Sequence, residues 1–184
     1  MTLSRKDFLT QGLFSLGKML LPPVPDTRGE QSRFVRPPGF LPERLGECGD
    51  CDLCLKVCPE EVITRRPEMT GPVMDFSLGG CSFCSLCVTA CPSGVLTLPV
   101  EGEQSPLGVA RLKTGCLSGG GCFTCSERCP REAIQITWGS GVRVDEELCI
   151  GCGNCEGCCP VQPAAIRVEA IAKTINHAAS GRTP

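Results

Sequence analysis

Sixteen of the seventeen cysteines in this 184-residue chain fall into four groups, and thiols in such numbers can hold metal. The groups are Cys48, Cys51, Cys54 and Cys58; Cys81, Cys84, Cys87 and Cys91; Cys116, Cys122, Cys125 and Cys129; and Cys149, Cys152, Cys155 and Cys159. A proline follows each last member: Pro59, Pro92, Pro130 and Pro160. Three groups read C-x-x-C-x-x-C-x-x-x-C-P. The third has a widened first gap that contains Gly119, Gly120 and Gly121.

Two-residue gaps let a tight loop wrap a small inorganic cube and present three sulfurs in succession. The fourth cysteine, after a longer gap, is expected to enter a short helix and complete the cube of a partner motif. These sixteen cysteines are therefore the expected iron ligands of four [4Fe–4S] clusters. The proline supplies a fixed φ and no N–H, which helps turn the chain away. Gly80, Gly115, Gly151 and Gly153 are expected to let backbone approach the inorganic core. Zinc sites favour cysteine pairs with longer spacers and histidine, whereas the only histidine here is His177 in a polar tail, where it is expected at the surface. A disulfide scaffold would have irregular spacing. Cys158, beside Cys159, does not match the C-P position and is expected to be a non-ligand.

The first cysteines of groups one and three are 68 residues apart, as are those of groups two and four. This offset points to duplication of a two-motif unit. Adjacent pairing joins Cys48, Cys51 and Cys54 to Cys91, and Cys81, Cys84 and Cys87 to Cys58. It likewise joins Cys116, Cys122 and Cys125 to Cys159, and Cys149, Cys152 and Cys155 to Cys129. A nested arrangement, group one with four and two with three, is the alternative.

Short β-prone segments must position these loops. Val73–Phe76 and Val142–Asp145 precede groups two and four. Val62-Ile63, Val95-Leu96, Ala133-Ile134 and Ala165-Ile166 follow the prolines. Each unit reads as strand, cysteine loop, short helix, strand. The expected layout is an N-terminal helix and connector over 1–40, one unit over 41–104, a second over 105–170 and a tail over 171–184. Within this layout 101–108 is a linker, and 26–42 is an extended connector rich in Pro, Gly and Arg.

The remaining composition narrows the function. Seven Phe, one Trp and no Tyr make a thin core that needs staples. A formal net charge of −2 gives no basic surface for nucleic acid. No apolar run reaches the ~20 residues that span a bilayer. Leu9, Leu13, Leu16 and Leu20 share one helical face, which Pro22 and Pro23 end. This stripe reads as a docking helix. The start SRKDFL is a degenerate twin-arginine-like signal, with Lys6 at the second arginine, and is the alternative. Phosphate-binding glycine loops and the H-E-x-x-H zinc motif are missing. Glu60, Glu61, Asp145, Glu146 and Glu147 read as a solvated acidic rim. An electron carrier or accessory protein, rather than an enzyme, fits this inventory.

The four runs resemble bacterial two-cluster ferredoxins, and CIGCGNCEGCCP at Cys149–Pro160 is close to that pattern. The SRKDFL start, CSFCSLCVTACP at Cys81–Pro92 and the widened third motif resemble the narrower NapF-type ferredoxins of periplasmic nitrate reductase systems. The NapG/MauM-type ferredoxins also share four motifs. Lys6 and an apolar stretch broken by Gln11 and Lys18 set the chain apart from that branch. The resemblance implies an α+β fold of tandem two-cluster ferredoxin-like units, with short strands and helices wrapped around the clusters. It implies a cytoplasmic protein whose redox partner is a molybdenum-containing catalytic subunit undergoing maturation. The alternative is an electron-transfer subunit, a polyferredoxin, of a membrane-associated or periplasmic redox complex.

Overall fold

In a computed structural model, residues 34–98, 105–138 and 141–171 are described. The leucine stripe of the N-terminus, the connector before Phe34, the first half of the linker and the tail with His177 lie outside them.

Six short strands form three antiparallel pairs. In the first half β1 (Ile63–Arg65) pairs with β2 (Pro72–Met74), in the register Ile63 with Met74 and Arg65 with Pro72. In the second half β4 (Ile134–Thr137) pairs with β5 (Gly141–Val144), Ile134 facing Val144. These hairpins are rich in β-branched residues, which fit a pleated surface. The outer pair of the second half is β3 (Val109–Leu112) against β6 (Ile166–Glu169). Its counterpart in the first half is reduced to a single bridge between Phe40 and Leu96. Val95-Leu96 is therefore not a strand of its own, and β3 adds a strand directly after the linker.

From Phe34 onward the connector is packed against the first half rather than free. Val35 is buried and its carbonyl accepts the Met74 N–H at 2.8 Å. The Thr97 N–H donates to the Gly39 carbonyl at 2.9 Å, and the Leu41 N–H to that of Val95 at 2.8 Å. Arg36 Nη1 adds bonds to the carbonyls of Thr70 (2.8 Å) and Pro72 (2.9 Å). Phe34–Leu41 thus serves as an edge of the first half.

Four one-turn helices complete the repeat: α1 (Leu53–Lys56), α2 (Leu86–Thr89), α3 (Thr124–Glu127) and α4 (Asn154–Gly157). Each carries the third cysteine of its motif, and the fourth stands two residues beyond the helix end. This corrects the expectation that the fourth cysteine enters the helix. The one-turn length follows from the C-P step, because a proline restricts the residue before it away from helical backbone. The proline instead opens a tight turn. The N–H groups of Glu61, Gly94 and Glu132 return to the carbonyls of Cys58, Cys91 and Cys129 at 3.2, 3.4 and 3.2 Å. Those three residues adopt left-handed φ of 52°, 63° and 52°, and the chain then re-enters the sheet.

Among the described residues the two halves meet along a glycine seam within one compact unit. The Cys81 N–H donates to the Cys152 carbonyl at 2.7 Å. A Cβ on Gly80 would lie 2.0 Å from Asn154 Oδ1, and one on Gly157 would lie 2.7 Å from the Gly79 nitrogen. Gly153, at φ 85°, lies against the ring of Phe76, which is 4 % exposed. Gly151 lies against Gly108. Gly80, Gly151 and Gly153 therefore bring chain segments together; Gly151 and Gly153 do so while also lining a cavity walled by Cys129, Cys149, Cys152 and Cys155.

Glu156 ties α4 to β6 by accepting the Val168 N–H at 2.8 Å. Burial raises the pKa of this carboxyl, and the Val168 N–H opposes the rise. Glu156→Ala orphans that N–H and is expected to cost about 1–3 kcal/mol. Glu156→Gln keeps an acceptor and should cost less. Urea midpoints of the cluster-loaded variants check the order.

Candidate metal centres

Four cavities are walled by the sixteen cysteines, each by three from one motif and the fourth from its neighbour. The first is lined by Cys48, Cys51, Cys54 and Cys91, with Leu96. The second is lined by Cys81, Cys84, Cys87 and Cys58, with Val62 and Glu60. The third is lined by Cys116, Cys122, Cys125 and Cys159, and the fourth by Cys149, Cys152, Cys155 and Cys129. Adjacent motifs, not nested ones, thus share their fourth cysteines. The empty volumes of the first to fourth are about 300, 320, 350 and 330 Å³. Among the described residues no three metal-binding side chains close on a single ion. The thiols surround a volume instead of converging on a point, which suits a multi-iron cube with one thiolate per corner.

The local backbone feeds hydrogen bonds to the sulfurs. After the C-P turn, the N–H groups of Leu96, Ala133 and Ala165 donate to Cys91 Sγ (3.5 Å), Cys129 Sγ (3.3 Å) and Cys159 Sγ (3.4 Å). Cys81 Sγ accepts from Phe83 N–H and Cys149 Sγ from Ala110 N–H, both at 3.4 Å. Such bonds favour the thiolate and tune potential. At Cys91 burial works against the thiolate, but the Leu96 N–H, the Ser93 hydroxyl and the Val95 and Gly94 N–H groups together hold its pKa below the usual thiol value.

Several more deeply buried thiols shift the opposite way. Burial, followed by neighbouring cysteines, pushes Cys54 and Cys125 up to about 11. Burial does the same for Cys81 and Cys87, also to about 11, with backbone N–H groups opposing it. Cys155 moves furthest in the same direction, again through burial and then its neighbours Cys152 and Cys149. Thiols packed this densely become ligands only when cations compensate their charge.

Cys158 lines none of these four cavities. It occupies the helix-end position held by Val57, Ala90 and Arg128 in the other motifs. Its Sγ–H faces the carbonyls of Cys155 (3.6 Å) and Thr124 (3.7 Å). The acidic residues have local roles beyond an outer rim. Asp145 Oδ1 accepts the N–H groups of Glu147 (3.0 Å) and Leu148 (3.3 Å) ahead of the fourth motif. Asp75 Oδ1 does the same for Ser77 at 3.0 Å ahead of the second. Neither Asp75 nor its matching position was visible as a turn former from cysteine spacing alone. Glu146 pairs with Arg111, while Glu60, Glu61 and Glu147 are exposed.

A repeated α+β scaffold with four-cysteine cavities defines a ferredoxin-type iron–sulfur electron-transfer protein. Residues 47–95 match the family described as a 4Fe-4S dicluster domain. The chain belongs to the MauM-type ferredoxin family. It is 31% identical over 211 residues to the methylamine utilization ferredoxin-type protein MauM of Methylorubrum extorquens, covering 98% of this chain and 94% of that one. It is 35% identical over 190 residues to MauM of Methylophilus methylotrophus, covering 89% and 83%. No solved structure matches the chain significantly. This is the branch from which Lys6 and the interrupted apolar stretch had set the chain apart. The departures are confined to the N-terminal residues, whereas the similarity runs nearly the full length.

Proposed function

We propose that the chain holds four [4Fe–4S] clusters on its sixteen motif cysteines and passes single electrons to or from an oxidoreductase. The observation that carries this reading is the set of four cavities, each walled by three cysteines of one motif and one of its neighbour. Clusters in these pockets supply one-electron chemistry without proton transfer. The thiolates fix them, the N–H groups around the sulfurs stabilise the reduced charge, and apolar residues such as Val62, Leu96, Ile134 and Ile166 limit water. Among the described residues no helix is long and apolar enough to cross a membrane, so the partner surface is sought on the protein body.

Anaerobic reconstitution is expected to reach about sixteen iron and sixteen sulfide per chain. Cys58→Ser should damage the pocket of the second motif, although the residue lies in the first. A plateau near half that iron content would overturn the four-cluster reading.

The names of the two relatives favour a partner in methylamine utilization. A second reading, support for maturation of a molybdenum-containing subunit in the cytoplasm, rests on the CSFCSLCVTACP motif and the widened third motif. Co-purification separates them. A maturation factor should bind the cofactor-free subunit and restore its activity, whereas a carrier should exchange electrons with the finished enzyme. Recovery of the chain from the periplasm, shortened at its N-terminus, would remove the cytoplasmic reading.

A further inference from the structure

The four pockets differ in the charge around them, and this difference sets a direction. The second pocket has a carboxylate, Glu60, in its wall. The third is lined by cysteines and apolar residues alone. The fourth has Arg131 in its wall, but that side chain is exposed, where water and salt screen it. The first pocket is flanked by three arginines.

Two of these are balanced. Arg65 Nη2 approaches Cys48 Sγ at 3.9 Å and bonds the carbonyls of Gly49 (2.9 Å) and Cys51 (2.5 Å), but its Nε pairs with Asp52 at 2.8 Å. Arg44 reaches the Gly94 carbonyl at 3.2 Å and pairs with Glu47. Arg36 differs. It is half-buried, lies over the Phe40 ring at 4.6 Å and donates to the two carbonyls of Thr70 and Pro72. It forms no salt bridge among the described residues. A Cβ on Gly71 would sit 3.7 Å from Arg36 Nη1 and 3.9 Å from Cys48 Sγ, so the guanidinium and the sulfur flank the same glycine.

An arginine stays charged at any working pH. Half-buried and with no carboxylate partner among the described residues, its field is weakly screened over the distance to a neighbouring sulfur. Reduction adds one negative charge to a cluster and nothing else, so a fixed positive charge beside one pocket favours the reduced form there.

We propose that the Arg36 guanidinium makes the first pocket the most easily reduced of the four, so that electrons entering the protein collect there. This rests on the four-cluster reading above. In each internal step one electron leaves another pocket, whose cluster is oxidised, and the cluster of the first pocket is reduced by it. No bond breaks and no proton moves. Cys51 of that pocket is exposed, as is Cys84 of the second pocket, whereas their counterparts Cys122 and Cys152 in the second half are not. The collected electron therefore stands next to solvent, where a partner can take it.

The test is a redox titration of the reconstituted full-length protein, followed by electron paramagnetic resonance. Cys51→Ser marks the first pocket by changing the signature of its cluster. The wild-type signal that this substitution alters is expected to be the one reduced at the most positive potential in the unsubstituted protein. Arg36→Gln keeps an amide donor for the Thr70 and Pro72 carbonyls and removes the charge. It should lower the reduced-to-oxidised ratio of the first pocket about tenfold at a fixed potential, with the other three signals unmoved. Arg36→Lys should restore most of the ratio. A most-positive signal that is not the marked one, for example that of the fourth pocket beside Arg131, overturns the inference, and so does a first-pocket signal unmoved in Arg36→Gln. The wild-type order decides even if Arg36→Gln loads poorly. Fewer than four clusters in the wild type would instead count against the four-cluster reading.

Discussion

Chelation of iron under anaerobic conditions is expected to abolish the cooperative thermal transition of this protein. The largest fully buried side chains are Val62, Val73, Val95, Pro37 and Pro72. Such residues bury little area each, and around them stand four cavities walled by thiols. A structural metal site contributes on the order of 10 kcal/mol of folding free energy. The whole stability of a domain is about 5–15 kcal/mol. Loss of even one pocket's metal therefore rivals everything else that holds the fold. Without the cations, buried thiols such as Cys54 and Cys87 would face other thiols with no metal between them. Calorimetry of chelated and reconstituted protein checks this. A sharp, unshifted transition in the chelated sample would show that the apolar core suffices.

Gly153→Ala is expected to be among the most damaging single substitutions outside the cysteines. Gly153 stands at φ 85°, where a Cβ costs about 1–2 kcal/mol. That Cβ would also lie 2.1 Å from Phe76 Cδ1. The ring is buried and cannot swing into solvent, so it must displace the seam, at about 1–3 kcal/mol. The residue also sits between Cys152 and α4, so a shift there moves Cys152 and Cys155 together. Lower urea stability and poor loading of the fourth pocket should appear together. Gly119→Ala is the control. A Cβ there meets nothing within 4 Å, and its effect should stay within about 0.5 kcal/mol. Equal effects of the two substitutions would remove the seam from the argument.

The cysteine spacing made much of this architecture legible. It suggested a three-plus-one sharing of motifs, but left adjacent and nested partners open. The valine and isoleucine pairs located β1, β4, β5 and β6 to within a residue or two. What stayed hidden depends on tertiary packing. Val109–Leu112 follows a polar linker and becomes a strand only because β6 returns beside it. Val95-Leu96 has the same β-prone residues and forms only a bridge, since Phe40 offers a single partner. A glycine next to a cysteine looks alike in sequence whether it faces an inorganic core or another backbone. Gly80 proved to face Asn154, whereas Gly153 both abuts Phe76 and lines the fourth cavity. The charge asymmetry around the first pocket was equally hidden, because Arg36 lies in what reads as a connector.

The exchange of fourth cysteines also fixes a timetable for synthesis. The chain emerges from the ribosome N-terminus first. The second pocket has all four of its cysteines once Cys87 is out, while the first, although its motif was made earlier, must wait for Cys91. In the other half the fourth pocket is complete at Cys155 and the third only at Cys159. In each half the pocket begun later closes first. A ribosome paused between Cys87 and Cys91 would carry one finished pocket and three reactive thiols with no partner.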